Sequence, residues 1–417
     1  MPLRLTDEQA RLVAKLVSDA KTTSGLTNDQ IADEAGFAEK TVRGVLKGRC
    51  RIRKTASRVC RALKIDLDVV LNEASLSDDR FPPPRIEGDT QARAVRSALE
   101  AFLARDENRF RRLFLKGEPL VPEPAERPWT EILAAAGYVK ATPAGAVWPC
   151  VRVFFLDELL IATDLLARAE VDQVFSLMFE QVFLVRSMDV RKGDHVLELC
   201  LGSGVNALAA AHRGAARVVG VDVSERALAF AAANAAVNLS RERGDAPLEI
   251  LRGNLFEPLA AEDRFDLILV NPPFEPVPPG MRYFLHSHGG EDGLDVIRAL
   301  LPGVPQRLRP GGRFEMYTWT LSDERLEWAT DLVLAAFPDF RVEVRRAERA
   351  PLEVCFTKFR DRPGYAVWRD RLISQGVTSV WGVHVRALRD GPAGLVRIDA
   401  MDEVTACNAT VSQWRRS

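Results

Sequence analysis

The chain has 417 residues, 47% hydrophobic and 28% charged, with a net charge of −1, as expected of a soluble globular protein of about three domains. That balance leaves no global attraction to nucleic acid or membrane, so any basic patch must be local. No apolar run reaches 18 residues, and Met1-Pro-Leu-Arg-Leu-Thr-Asp-Glu8 lacks an apolar core, so neither a membrane span nor an export signal is expected. Six cysteines without a C-x-x-C pair predict reduced thiols in the cytoplasm, with no disulfide frame and no metal site.

Residues 1–76 read as an all-α domain. Ala32, Gly36 and Val42 stand at the offsets of a helix-turn-helix: a small residue for close approach, a glycine for the turn, an apolar plug for the core. The stretch resembles the phage-repressor type of helix-turn-helix. From Lys40 to Lys64 there are ten Lys/Arg and no acid. A recognition helix would offer Lys40, Arg43 and Lys47 to a groove, with Arg49, Arg51 and Arg53 near phosphates, making DNA a candidate partner. A solvated helix face, or a packing or dimerisation role, is the plainer alternative.

Residues 77–90 form a linker stiffened by Pro82, Pro83 and Pro84. Residues 91–168 read as a small α+β accessory domain, helices followed by a β-ribbon, in the order of a winged helix. Ala169 to Met188 is expected to be one helix leading into the core.

From 169 to 360 strands and helices alternate, with strands at 196–199, 218–221, 248–251, 267–270 and 312–318. That pattern predicts an α/β, doubly wound, Rossmann-like sheet. Residues 361–417 add a helix and a hairpin of 377–388 with 395–398.

Val196-Leu-Glu-Leu-Cys-Leu-Gly-Ser-Gly204 is a strand entering a glycine turn, and Asp222 ends the next strand, where a carboxylate can take both ribose hydroxyls. Gly202-x-Gly204-x-x-Ala207 fits a nicotinamide fingerprint equally well. Two features favour a sulfonium cofactor instead. Glu198 places an acid where the cationic amino-acid end of S-adenosylmethionine would lie. The strand Phe265-Asp-Leu-Ile-Leu-Val270 closes on Asn271-Pro-Pro-Phe274, which hydride transfer does not need. Two prolines stop the ladder and leave a rigid loop at the carboxyl end of the sheet. The Asn271 amide, the Pro272 carbonyl and the Phe274 ring can grip a flat nitrogen. Pro273, His286 and His288 are candidate substrate contacts.

These motifs, with Gly253-Asn-Leu-Phe-Glu-Pro258, Gly289-Gly-Glu-Asp-Gly293 and Arg309-Pro-Gly-Gly-Arg313, resemble class I S-adenosylmethionine-dependent N-methyltransferases. Within them the resemblance is to the release-factor glutamine methyltransferases and their methyltransferase-small-domain relatives. It covers about residues 150–320. It implies S-adenosylmethionine as cofactor, S-adenosylhomocysteine as product, cofactor contacts from Glu198, Gly202, Gly204, Asp222, Asn254 and Leu255, and catalysis at Asn271, Pro272 and Phe274. The family usually carries Asp at the position of Asn254, whose amide oxygen can accept the same adenine N–H.

The acceptor is open at this point. Near-zero net charge and accessory segments able to close over a pocket favour a planar nitrogen of a small molecule or free amino acid. A protein glutamine or an rRNA or DNA base is the alternative, and a DNA-binding regulator with a methyltransferase module is a third.

Overall fold

The computed structural model describes residues 10, 13–14, 17–18, 21, 26–47, 49–50, 53–63, 81–141, 146–166, 168, 170–240, 244–323 and 325–415. The chain divides into two compact units, Met1–Pro82 and Pro83–Ser417.

In the first unit, helices α1 (Asn28–Ala35), α2 (Glu39–Leu46) and α3 (Arg53–Ala62) surround a small core. Thr27 and Gln30 cap α1 reciprocally, and Gly36 ends it with φ +68°. Ala32 and Val42 are buried in that core. Lys40, Arg43, Lys47 and Arg49 are exposed, Arg43 bonded to Glu39 at 2.7 Å. Arg51 lies outside the described residues, as do residues 64–80, and of Arg53 only the helical backbone is described.

The second unit opens with α4 (Gly88–Arg105), α5 (Glu107–Phe114) and α6 (Arg127–Ala135), then two ribbons. Strands β1 (Val139–Ala141) and β2 (Val147–Pro149) form one, β3 (Arg152–Leu156) and β4 (Leu159–Thr163) the other. After α7 (Phe179–Ser187) come β5 (His195–Leu199), α8 (Val205–His212), β6 (Arg217–Asp222), α9 (Glu225–Asn238), β7 (Leu248–Arg252) and β8 (Phe265–Val270). Then follow α10 (Asp295–Leu300), α11 (Val304–Arg307), β9 (Leu308–Ser322), α12 (Trp328–Ala336), β10 (Arg341–Pro351), α13 (Leu352–Phe356), α14 (Tyr365–Ser374), β11 (Ser379–Leu388), β12 (Gly394–Ile398) and α15 (Met401–Arg415).

Eight strands form one sheet in the order β12-β10-β11-β9-β8-β5-β6-β7. Strands β7, β6, β5, β8 and β9 pair in parallel, and β11 runs antiparallel between β9 and β10. Alternate residues feed two cores. Val196, Val218, Leu267 and Leu269 pack with α7, α8 and α15, whereas Leu197, Val219, Ile268 and Val270 pack with α10 and α12. Coverage on both faces explains why these strands are continuous apolar runs. The fold is the doubly wound, Rossmann-like sheet expected. Its order reverses between β5 and β8, opening a crevice beyond their carboxyl ends.

Residues 91–168 share their core with α9, through Ala227, Phe230 and Val237. Two buried asparagines of α9 complete the contact as substitutes for a neighbouring strand. Asn238 accepts from the Leu160 N–H at 2.8 Å and donates to its carbonyl at 2.7 Å. Asn234 does the same at Ala162, at 2.8 and 3.0 Å. Four helical residues rise about 6 Å and two strand residues about 6.6 Å, so the spacings match.

Three expectations are corrected. Among the described residues of the stretch 169–188 only Phe179–Ser187 is helical, because the backbone before it bonds elsewhere: the Val174 N–H donates to Asp164, and the Val171 carbonyl accepts from Leu285. The expected hairpin of 377–388 with 395–398 does not form, because β10 lies between β11 and β12 and pairs with both. Residues 401–415, for which the sequence suggested no element, are helical.

Candidate active site

The crevice is a cleft of about 810 Å³ lined by Glu198, Gly202, Asp222, Asn254, Leu255, Asn271 to Phe274, His286 and His288 among others. The anticipated residues of the core are thus brought together, with one exception. Gly204 does not line the cleft. It begins α8 with φ +80°, and a β-carbon there would stand 3.2 Å from the Ala231 β-carbon, so its role is to let α9 approach the turn.

Strand β5 ends in the glycine turn. The Gly202 N–H donates to Asp222 Oδ2 at 2.8 Å, and the Ser224 N–H donates to Oδ1 at 2.9 Å. These bonds fix the carboxylate at the tip of β6, while burial raises its pKa. Glu198, one per cent exposed, accepts from Asn206 Nδ2 at 2.7 Å and from the Ala207 N–H at 2.6 Å, facing the start of α8. Burial pushes its carboxyl up to about 8, against the pull of those two donors. Asn206 Oδ1 is buried without a hydrogen-bond partner. Two non-glycine residues of the cleft, Cys200 and Leu255, hold positive φ of 58° and 52°, a conformation that costs about 1–2 kcal/mol each.

Beyond β8 the chain turns through Asn271-Pro-Pro-Phe274. Asn271 Oδ1 is buried and has no hydrogen-bond partner. A buried amide oxygen in that state costs about 1–3 kcal/mol, which a bound N–H donor would recover. The loop is braced from behind. The Glu275 N–H donates to Ser287 O at 2.8 Å, Gly289 N–H to Glu275 O at 3.0 Å and Val277 N–H to Gly290 O at 2.8 Å.

His286 is stacked between Phe175 and Phe284, with ring centroids 4.7 and 5.2 Å away. Burial drops its pKa to about 4, so the imidazole is neutral; Nδ1 meets Ser287 Oγ at 2.8 Å and Nε2 is buried without a partner. His288 Nδ1 accepts from the Gly290 N–H at 3.2 Å, holding the loop.

Sequence reasoning missed the far wall. Glu180, Trp319, Glu348, Lys358, Asn408 and Val411 line the same cleft from α7, β9, β10, the segment after α13, and α15. Glu180 carried a signal, a lone acid in the run Leu177-Met-Phe-Glu-Gln-Val-Phe-Leu-Val185; the others carried none.

A turn holding a fixed carboxylate, a buried acid beside it and a partnerless amide oxygen in the same cleft are features that the cofactor and acceptor ends of a class I methyltransferase require. The Asn206 orphan and the donor-held Asp222 fit S-adenosylmethionine. Residues 176–321 match the methyltransferase small domain family. A release factor glutamine methyltransferase of Moorella thermoacetica is 30% identical over 254 residues, 58% of this chain and 83% of that protein. The one of Geobacter sulfurreducens is 40% identical over 136 residues, 30% of this chain and 45% of it. A ribosomal protein uL3 glutamine methyltransferase of Bradyrhizobium diazoefficiens is 42% identical over 128 residues, 28% of this chain and 39% of it. The chain thus spans less than half of the last two. It belongs to the release factor glutamine methyltransferase family.

No helix among the described residues is long and apolar enough to cross a membrane.

Proposed function

We propose that the chain methylates the side-chain amide nitrogen of a glutamine within a protein. The observation that carries this is the buried, partnerless Asn271 Oδ1 beside Pro272 and Phe274. The three relatives above, each named for methylating glutamine in a release factor or a ribosomal protein, support it over the small-molecule or free amino-acid acceptor that net charge favoured. Net charge is a property of the whole surface, whereas the acceptor is chosen by a few groups in the cleft.

S-adenosylmethionine supplies an electrophilic methyl on a sulfonium. An amide nitrogen is a poor nucleophile because its lone pair is delocalised. Asn271 Oδ1 and the Pro272 carbonyl each accept one N–H, fixing the amide so that the lone pair faces the methyl and easing positive charge on nitrogen; the methyl's old bonding pair stays on sulfur, and one of the two N–H protons leaves to solvent to give the neutral N-methyl amide. Phe274 stacks on the amide plane. Such positioning can supply up to about 7–11 kcal/mol, and one preorganised group about 3–4. Asp222 would take the ribose hydroxyls, Asn254 and Leu255 would hold the adenine, and Glu198 would serve the ammonium end. His286, neutral and stacked, closes the acceptor side with His288 and Pro273.

The test is methyl transfer from labelled S-adenosylmethionine to a bacterial release factor, to ribosomal protein uL3 and to free glutamine, with the modified residue located by mass spectrometry. Label on a glutamine side chain of either protein is expected. Label on free glutamine alone would return the small-molecule reading.

A further inference from the structure

The first unit carries a face that its own packing does not explain. Val42 and Val45 bury one side of α2. Lys40, Arg43, Gly44 and Lys47 stand on the other, because residues three, four and seven apart share a helix face. Arg49 follows just past the helix end, its N–H bonded to the Gly44 carbonyl at 2.9 Å. Arg43 is paired with Glu39 at 2.7 Å, whereas Lys40, Lys47 and Arg49 are exposed and have no acid partner among the described residues.

Gly44 is the unexpected member of this face. Glycine is the poorest helix former after proline, so one inside a helix calls for a backbone or packing reason. Neither is present. Gly44 is helical without a positive φ, and nothing among the described residues outside its own helix backbone and chain neighbours stands within 4 Å of where a β-carbon would lie. Bare backbone between unpaired cations admits a surface that comes close and carries negative charge. A second copy of the chain does not meet that description, since a two-fold contact would set the same unpaired cations of both copies against one another.

We propose that this face of α2 docks in the major groove of double-helical DNA, with Lys40, Lys47 and Arg49 on the phosphates and Gly44 where helix and groove come closest. The major groove of B-form DNA is about 12 Å wide and admits a helix about 10–12 Å across, whereas that of A-form RNA is too narrow to be read. Without a side chain at position 44 the helix is slimmest on the face that enters. The run from Lys40 to Lys64, with ten Lys/Arg and no acid, adds positive charge along the same stretch of chain. The inference stands apart from the glutamine reading, because it uses no residue of the cleft.

The test titrates the full chain with a mixed-sequence DNA duplex of two helical turns, about 20 base pairs, and with the RNA duplex of the same sequence. DNA should bind at least ten-fold more tightly than RNA. Each neutralised phosphate contributes about −0.9 to the slope of log affinity against log salt. Three contacts therefore predict a slope of about −2.7 or steeper, a loss of at least about 40-fold between about 50 and 200 mM salt. Lys40→Gln, Lys47→Gln and Arg49→Gln combined should weaken DNA binding at least ten-fold and flatten the slope by about 2.7. Gly44→Gln should weaken it at least five-fold while the unfolding midpoint stays level or rises, because glutamine favours the helix. Both variants should keep wild-type helix content and S-adenosylhomocysteine affinity, which shows them to be folded. No DNA binding at about 50 mM salt, equal or tighter binding to the RNA duplex, or a Gly44→Gln protein that binds DNA as wild type does would overturn the proposal.

Discussion

Gly293 stands directly behind Phe274: a β-carbon on Gly293 would overlap the Phe274 carbonyl oxygen, and its φ of +82° is one that other residues rarely adopt. Gly289 is locked to Gly293 in turn, its missing β-carbon facing the Gly293 α-carbon at 2.8 Å. The glycines of Gly289-Gly-Glu-Asp-Gly293 therefore brace the loop that holds the acceptor. Gly293→Ala should destabilise the protein by about 2 kcal/mol through backbone strain and overlap, and displace Phe274. Thermal denaturation should show a fall of a few degrees, and turnover should drop about 10²-fold with S-adenosylhomocysteine affinity changed less than three-fold.

Asn271→Ala removes the orphaned acceptor without touching the glycine turn. Turnover should fall 10²–10³-fold, about 3–4 kcal/mol of lost transition-state stabilisation, and S-adenosylhomocysteine should bind as before. Steady-state transfer and calorimetry on one preparation check both halves. Turnover within ten-fold of wild type would mean that Asn271 does not position the nitrogen.

Much of this site was legible because its chemistry is local in sequence. Glu198 and Gly202 sit on one strand and the turn it enters, Asp222 ends the next strand, and Asn271 to Phe274 are consecutive. The far wall was not legible, because Glu180, Trp319, Glu348 and Asn408 come to line one cleft only through sheet order and the docking of two helices. The hairpin that does not form has a related cause. Nearness in sequence suggests that β11 and β12 pair, but β10 lies between them and bonds to β11 along one edge and to β12 along the other. Helix α15 does carry a pattern, with Val404, Cys407, Val411 and Trp414 at helical spacing, but a weakly apolar composition masks it.

The asparagine pair on α9 offers a test of how residues 91–168 are held. Asn238→Ala leaves the Leu160 N–H and carbonyl without their partners in a buried position, at about 1–3 kcal/mol for each group. Asn234→Ala does the same at Ala162 and also frees Ser203 O, to which Asn234 Nδ2 donates at 2.9 Å inside the glycine turn. Both variants should unfold at lower denaturant concentration. Asn234→Ala should in addition weaken S-adenosylhomocysteine binding several-fold, whereas the folded Asn238→Ala protein should bind it normally. Equal effects on binding would show that the Ser203 link does not shape the turn.

The raised pKa of Glu198 predicts a pH dependence for the cofactor. Burial lifts the carboxyl from its ordinary value near 4.5 to about 8 in the cofactor-free protein. Because the folded value is the higher one, its contribution to stability is full below about pH 4.5 and is lost as pH rises through about 8. Across that window Glu198 is held protonated without cofactor. The ammonium group of S-adenosylmethionine favours the carboxylate, so binding expels the proton. Affinity should therefore climb with pH, by at most ten-fold per unit from this one group, and level off above about 8. Calorimetry of S-adenosylhomocysteine binding in buffers of different ionisation enthalpy, at pH 6.5 and 8.5, should find close to one proton released at the lower pH and about a quarter of a proton at the higher. Glu198→Gln should abolish the difference. A proton count that is the same at both pH values would show that the carboxyl is already ionised before the cofactor arrives.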